Sequence, residues 1–270
     1  HRFRELPAVA RLPEGHDDQQ PKQDSCYSNG PKLRRLVGRT RSSMNYDVLI
    51  AVVVAGVVAV PVLLWCVIAW AGSAPVMTLH KVFLNPLPEP ESREILFSVL
   101  TETPHLDGDW LNAEGFTPIG VFQAEGLFGT PNVIAWGRRG EATWLCGYLL
   151  PDGTCQLDFV LQLGESMLTT GTAKDGHLFP TEHGKFVQTF DRDRPSDLWQ
   201  LHQQATQFLS TSFGLQIDRG VPDFAECFAD SLRAEGEYVR SMFLWSARIP
   251  WWYFTRRHTR HNRTVEQLCG

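Results

Sequence analysis

Twenty-four consecutive residues without a charge, Val48 to Ala71 (VLIAVVVAGVVAVPVLLWCVIAWA), constrain this chain more than any other feature. As an α-helix the run would be roughly 36 Å long, enough to cross a hydrocarbon core of about 30 Å with some tilt. A helix packed on a globular surface shows a polar face, and this segment has none. Pro61 removes a backbone donor near its middle and predicts a kink, which membrane helices tolerate. Trp65 and Trp70 lie in its C-terminal half, Trp70 where an interfacial aromatic is expected. The segment therefore predicts a single transmembrane anchor over residues 44–72. The competing reading is a cleaved signal peptide, since Ala69-Trp70-Ala71 fits a small-x-small site. The apolar part of a signal is usually about 7–15 residues, however, and this run is much longer.

Charge on either side of the span sets its expected direction. Lys32, Arg34, Arg35, Arg39 and Arg41 precede it, whereas only Lys81 follows closely. The positive-inside rule then places the N-terminus in the cytoplasm and the main domain outside it. Met44 is the first methionine, and a start there would leave only Asn45, Tyr46 and Asp47 before the span and remove the bias. Residues 1–43 are rich in Pro, Gln, Asp, Arg and Ser and have no apolar period, so they read as a disordered or leader segment. Residues 73–249 carry 23 Asp and Glu against 12 Lys and Arg. An acidic body repels phosphate backbones, which argues against a nucleic-acid partner.

Beyond the anchor, residues 73–220 read as an α+β domain. Pro75 to Leu84 suggests a first strand, and apolar spacing over Glu91 to Glu102 a short amphipathic helix. Strands are expected at Pro118–Gln123, Asn132–Arg138, Ala142–Leu150, Gln156–Leu163, Ser166–Thr172 and Lys185–Phe190. The turn signals between them are short, so neighbours should be antiparallel and form a meander sheet packed by amphipathic helices. Pro195 opens a strong helix carrying Leu198, Leu201, Ala205, Phe208 and Leu209, and Gly214 should end it. In order of elements, an antiparallel sheet followed by this helix resembles the helix-grip arrangement of lipid-binding START-like domains. That resemblance implies a curved sheet gripping a helix around a lipophilic ligand.

Residues 221–270 read as an amphipathic helix and an aromatic-basic tail. Asp223 is placed to cap the helix, with Glu226 three residues on, and Pro250 should stop it. The tail sets Trp251, Trp252, Tyr253 and Phe254 beside Arg256, Arg257, Arg260 and Arg263. This is the chemistry of a membrane-interface segment or a partner-binding tail, or else of aromatics packed on the domain beneath solvated arginines.

Candidate chemistry is sparse. If Leu150 pairs with Cys155, then Cys146 faces Phe159, and the two cysteines lie too far apart for a disulfide. The most suggestive polar cluster is the loop holding Asp175, His177, Glu182 and His183, which could bind a metal or perform acid–base work, although a solvated loop accounts for it more simply. No metal or other cofactor is expected. The sequence thus predicts a membrane-anchored domain that takes a lipophilic ligand or a protein partner at the bilayer surface. Two alternatives stay open: a tethered enzyme using the His177/His183 loop, and an assembly subunit of a membrane complex.

Overall fold

The computed structural model describes residues 46–103, 106–127, 131–150, 153–172, 179–192, 194–220, 222–255 and 257–270. Residues 50–270 form one compact unit; of the preceding unit, only the first turn of helix α1 is described.

The apolar run folds as one helix, α1 (Tyr46–Thr78), with Pro61 and Pro75 inside it. It is long and apolar enough to cross a membrane. Every residue from Tyr46 to Val67 is exposed, and burial begins only at Ile68 and Ala69. From there a stripe at helical spacing turns inward: Ala69, half-buried Gly72, Val76 and then Leu79, in a 3-10 turn over Leu79–Lys81. The strand expected at 75–84 is therefore shorter and later. Val76 and Leu79 serve a helical face, because burial at i, i+3/i+4 spacing outweighs the local β preference of this stretch. The strand β1 is confined to Phe83–Pro86.

Helices α2 (Glu89–Glu102) and α3 (Gly108–Ala113) follow. The sheet then builds in chain order through β2 (Phe116–Glu125), β3 (Asn132–Arg138), β4 (Thr143–Leu149), β5 (Cys155–Leu163), β6 (Ser166–Gly171) and β7 (Lys185–Thr189). Neighbours are antiparallel from β1 to β6, as the short turns require. The last pair departs from the expected meander: β7 runs parallel to β6, giving a seven-stranded mixed sheet. The connection from Thr172 to Gly184 is long enough to return the chain to its starting end, which parallel pairing needs and a tight turn forbids.

Alternation along the strands sends side chains to two faces. On one face Ile134, Trp136, Leu145 and Phe159 pack with Val99 of α2, Leu111 of α3 and Leu198 and Trp199 of α4 (Pro195–Phe213). Leu161, Leu163 and Leu168 continue that core beneath Ala205 and Leu209 of α4. Gly214 ends α4 in a left-handed conformation, φ 69°, which a residue without Cβ adopts at no steric cost. On the other face Val133, Ala135, Trp144 and Cys146 meet Phe224, Ala225 and Phe228 of α5 (Phe224–Ser241). The Asp223 carboxylate caps α5 by accepting from the Glu226 N–H at 3.0 Å.

After α5 the chain breaks at Leu244, whose φ is 54°, and restarts as α6 (Trp245–Thr255). Pro250 lies inside α6 and does not stop a helix there, contrary to expectation. The break comes earlier because Val239 and Ile249 both turn inward onto Val76 of α1, which one straight helix could not arrange. Two short helices close the chain, α7 (Arg257–Arg260) and α8 (Val265–Cys269). Thr264 and Gln267 form a reciprocal capping box at the start of α8. The Asn262 amide bridges to Asp191, with its Oδ1 accepting from the Asp191 N–H at 2.9 Å.

Candidate ligand cavity

Residues two apart on a strand share a face, so Cys146 and Tyr148 of β4 point the same way. The observed register sets Cys146 opposite Asp158 and Leu149 opposite Cys155. This differs by one residue from the pairing the turn suggested, and a one-residue slip exchanges the faces. It places a thiol, a phenol and a carboxyl together on the α5 side, where the expected register put Phe159 beside Cys146. Phe159 is instead buried on the α4 side, against Trp199 with ring centroids 5.0 Å apart. Cys146 and Cys155 are both free thiols.

Between this face and α5 lies a cavity of about 290 Å³. Trp144, Tyr148, Val160 and Thr169 contribute its sheet wall, and Phe224, Phe228, Leu232 and Glu235 its helix wall. Such a volume is at the lower end of the roughly 300–1,000 Å³ typical of small-molecule sites. The space persists because α5 is held at its two ends. At the N-terminal end Phe224 packs against Phe122 and Trp144. Near the other end Gly236 lets the helix backbone approach Leu79, whose Cβ would be 2.8 Å from a Cβ at that position. Between these contacts the side chains of sheet and helix do not fully interdigitate.

Several polar groups of the cavity are perturbed. Burial raises the Asp158 carboxyl to about 6, with the Tyr148 hydroxyl offsetting part of the rise. Burial likewise pushes the Cys146 thiol well up, aided by the nearby Asp158 charge, so it is no nucleophile near neutral pH. Tyr148 is raised by burial, then by Cys146 and Asp158, and stays a neutral donor. Asp158 also explains a glycine: it pairs with Gly171 of β6, where any Cβ would overlap its carboxyl oxygen. At the mouth, burial and then Glu182 raise the Glu235 carboxyl while Lys185 pulls it down. Lys185 donates to the Ser231 carbonyl at 3.2 Å and lies 3.6 Å from Glu182. The arrangement offers an apolar volume with a neutral phenol donor, a carboxyl that titrates near pH 6 and a charged rim.

The residues expected from sequence are dispersed. Asp175, His177 and Arg256 lie outside the described residues. Glu182 lines the cavity mouth, whereas His183 is exposed and does not line it. Among the described residues no group of three His, Cys, Asp or Glu could hold a metal ion. Val48, Pro61, Trp65, Trp70 and Ala71 all lie exposed on α1. Trp251, Trp252 and Tyr253 sit on α6, and Arg257 opens α7. Asp158, Tyr148 and Glu235 escaped the sequence reading because no motif marks them; only the register of β4 with β5 and the placement of α5 bring them together. Comparison with protein-family models, with curated proteins and with solved structures found no significant match to this chain.

Proposed function

We propose that this chain is a single-pass membrane protein whose α+β domain binds a small ligand with an apolar body in the cavity between the sheet and α5. The cavity carries the proposal: a mostly apolar space with convergent polar groups, several of them with displaced pKa values, is the usual form of a binding site. The reading is helix-grip-like, with α5 in the role the sequence suggested for α4. Leu79, on the cavity wall, follows Val67 by roughly 18 Å of chain rise, so the site would stand close above the bilayer. The arginines preceding the span favour an extracytoplasmic domain. The Cys146 thiol is held protonated, and among the described residues no group of three His, Cys, Asp or Glu could hold a metal ion, which favours binding over catalysis in this cavity.

The test is to purify the full chain in mild detergent and extract what it carries. The expected result is a compound of a few hundred daltons or less at near one per chain, absent when Val160→Trp fills the space. Equal recovery from both proteins, or from neither, would overturn the proposal.

A further inference from the structure

From the way α1 changes character along its length, we infer that α6 is a second membrane contact, lying in the headgroup layer where α1 leaves the bilayer. The inference rests on α1 spanning the membrane. Its bare stretch Val48–Val67 is 20 residues, all exposed. At 1.5 Å each that is roughly 30 Å, the thickness of a hydrocarbon core. Burial of α1 thus starts at the depth where the hydrocarbon would end. What buries it there includes α6: a Cβ on Gly72 would sit 3.1 Å from Cγ2 of Ile249. Gly72 is about 7 Å beyond Val67 along the helix, within the roughly 5–8 Å that headgroups add on each side.

The helix at that level carries both buried and exposed apolar side chains. Ile249 and Pro250 are buried, Ile249 in the cluster with Val76 and Val239. Trp251 and Phe254 of the same helix are 47 and 57 % exposed, and Leu244, just ahead of it, is 61 % exposed. The i, i+3 spacing of Trp251 and Phe254 makes them neighbours on the helix surface. Exposed apolar side chains at this level suit the acyl–headgroup boundary, which lies beside them. Tryptophan favours that boundary. Further along the chain, the Arg260 guanidinium sits over the Trp252 ring at 5.3 Å. Arg256, Arg257, Arg260 and Arg263 follow α6 in sequence, as expected of a segment at anionic headgroups. A membrane contact on α6 besides α1 would fix the tilt of the domain and hold the cavity at one height above the bilayer.

The experiment is photocrosslinking of the full chain in nanodiscs of phosphatidylcholine and phosphatidylglycerol. The photoreactive amino acid p-benzoylphenylalanine replaces, one at a time, Phe254, Trp251, Val58 or Phe97, and adducts are identified by mass spectrometry. Lipid adducts at positions 254, 251 and 58, and at most a tenth of that yield at 97, are expected. Lipid at 58 with none at 254 and 251, or with crosslinks there to a second copy of the chain, would overturn the α6 contact while leaving the anchor standing. Lipid at 97 as abundant as at 254 would overturn it too. Absence of lipid at 58 would overturn the spanning reading beneath it. A second measurement, quenching of tryptophan fluorescence by brominated lipid, should fall by at least a tenth in Trp251→Ala. No change there would count against the contact.

Discussion

The two faces of one sheet have been finished differently. On the α4 side, Phe159, Trp136 and Leu145 interlock with Trp199 and Leu198, and even His202 there is enclosed. On the α5 side, the next residue along the same strand, Val160, borders an open space. Packing close to that of a molecular crystal is where stability comes from, and a face left short of it is where a ligand can be accommodated. The sharpest test is a pair of truncations one residue apart. Phe159→Ala should cost about 3–5 kcal/mol of stability, whereas Val160→Ala should cost about 1 kcal/mol or less. Urea unfolding of the full chain in detergent reads both; equal costs would erase the distinction.

The polar groups of the two faces respond to acid in opposite senses. His202 on the packed face is held to about 3 by burial and then by Arg138, with Nδ1 2.9 Å from the Thr170 hydroxyl and Nε2 without a partner. Its folded pKa lies below its ordinary 6.5, so its neutral form supports the fold above pH 6.5 and that support is lost as pH falls toward 3. Asp158 is the reverse: raised from 3.8 to about 6, it favours the folded state below pH 3.8, and that contribution fades as pH rises through 6. Between pH 6 and 4 the two slopes, each about 1.4 kcal/mol per pH unit, oppose one another. Asp158→Asn should therefore lose about 3 kcal/mol more than the wild type over that interval, and His202→Asn should instead gain stability on acidification. Parallel pH profiles for all three proteins would contradict this assignment.

Gly171→Ala comes next in size. Its Cβ meets the Asp158 carboxyl across a strand pair that cannot easily separate, and about 2 kcal/mol should be lost. Adding Asp158→Ala should recover most of it in a double-mutant cycle, and an additive result would place the strain elsewhere. The smallest effect is expected from enlargement. Val160→Phe grows into empty space and should change stability by less than about 1 kcal/mol, while Leu161→Phe on the filled face should cost about 1–3 kcal/mol.

Much of this architecture is legible in the sequence. β3 and α4 begin and end where the pattern and the Pro195 and Gly214 signals place them, and Asp223 caps α5 as its spacing suggested. These features are local, decided by residues a few positions apart. The departures all involve distant partners. Val76 and Leu79 became helical to meet α5 and α6, β7 turned parallel through a long connection, and Pro250 was absorbed into α6. The cavity was invisible for the same reason. Asp158 and Tyr148 converge only because β4 and β5 pair one residue away from the register that the turn suggested, and the wall opposite them comes from a helix some 70 residues further on. The histidine loop, conspicuous in sequence, contributes Glu182 to the cavity mouth and leaves His183 in solvent.

Four methionines make the central claim directly measurable. Met167 lines the cavity, whereas Met77 and Met242 do not. With methyl-¹³C-methionine in the full chain in nanodiscs, titration with 3-phenylpropan-1-ol should shift the Met167 resonance saturably and leave Met77 and Met242 unmoved, and Val160→Trp should abolish the shift. Movement of all three together, or a Met167 response that survives the filled cavity, would contradict the account.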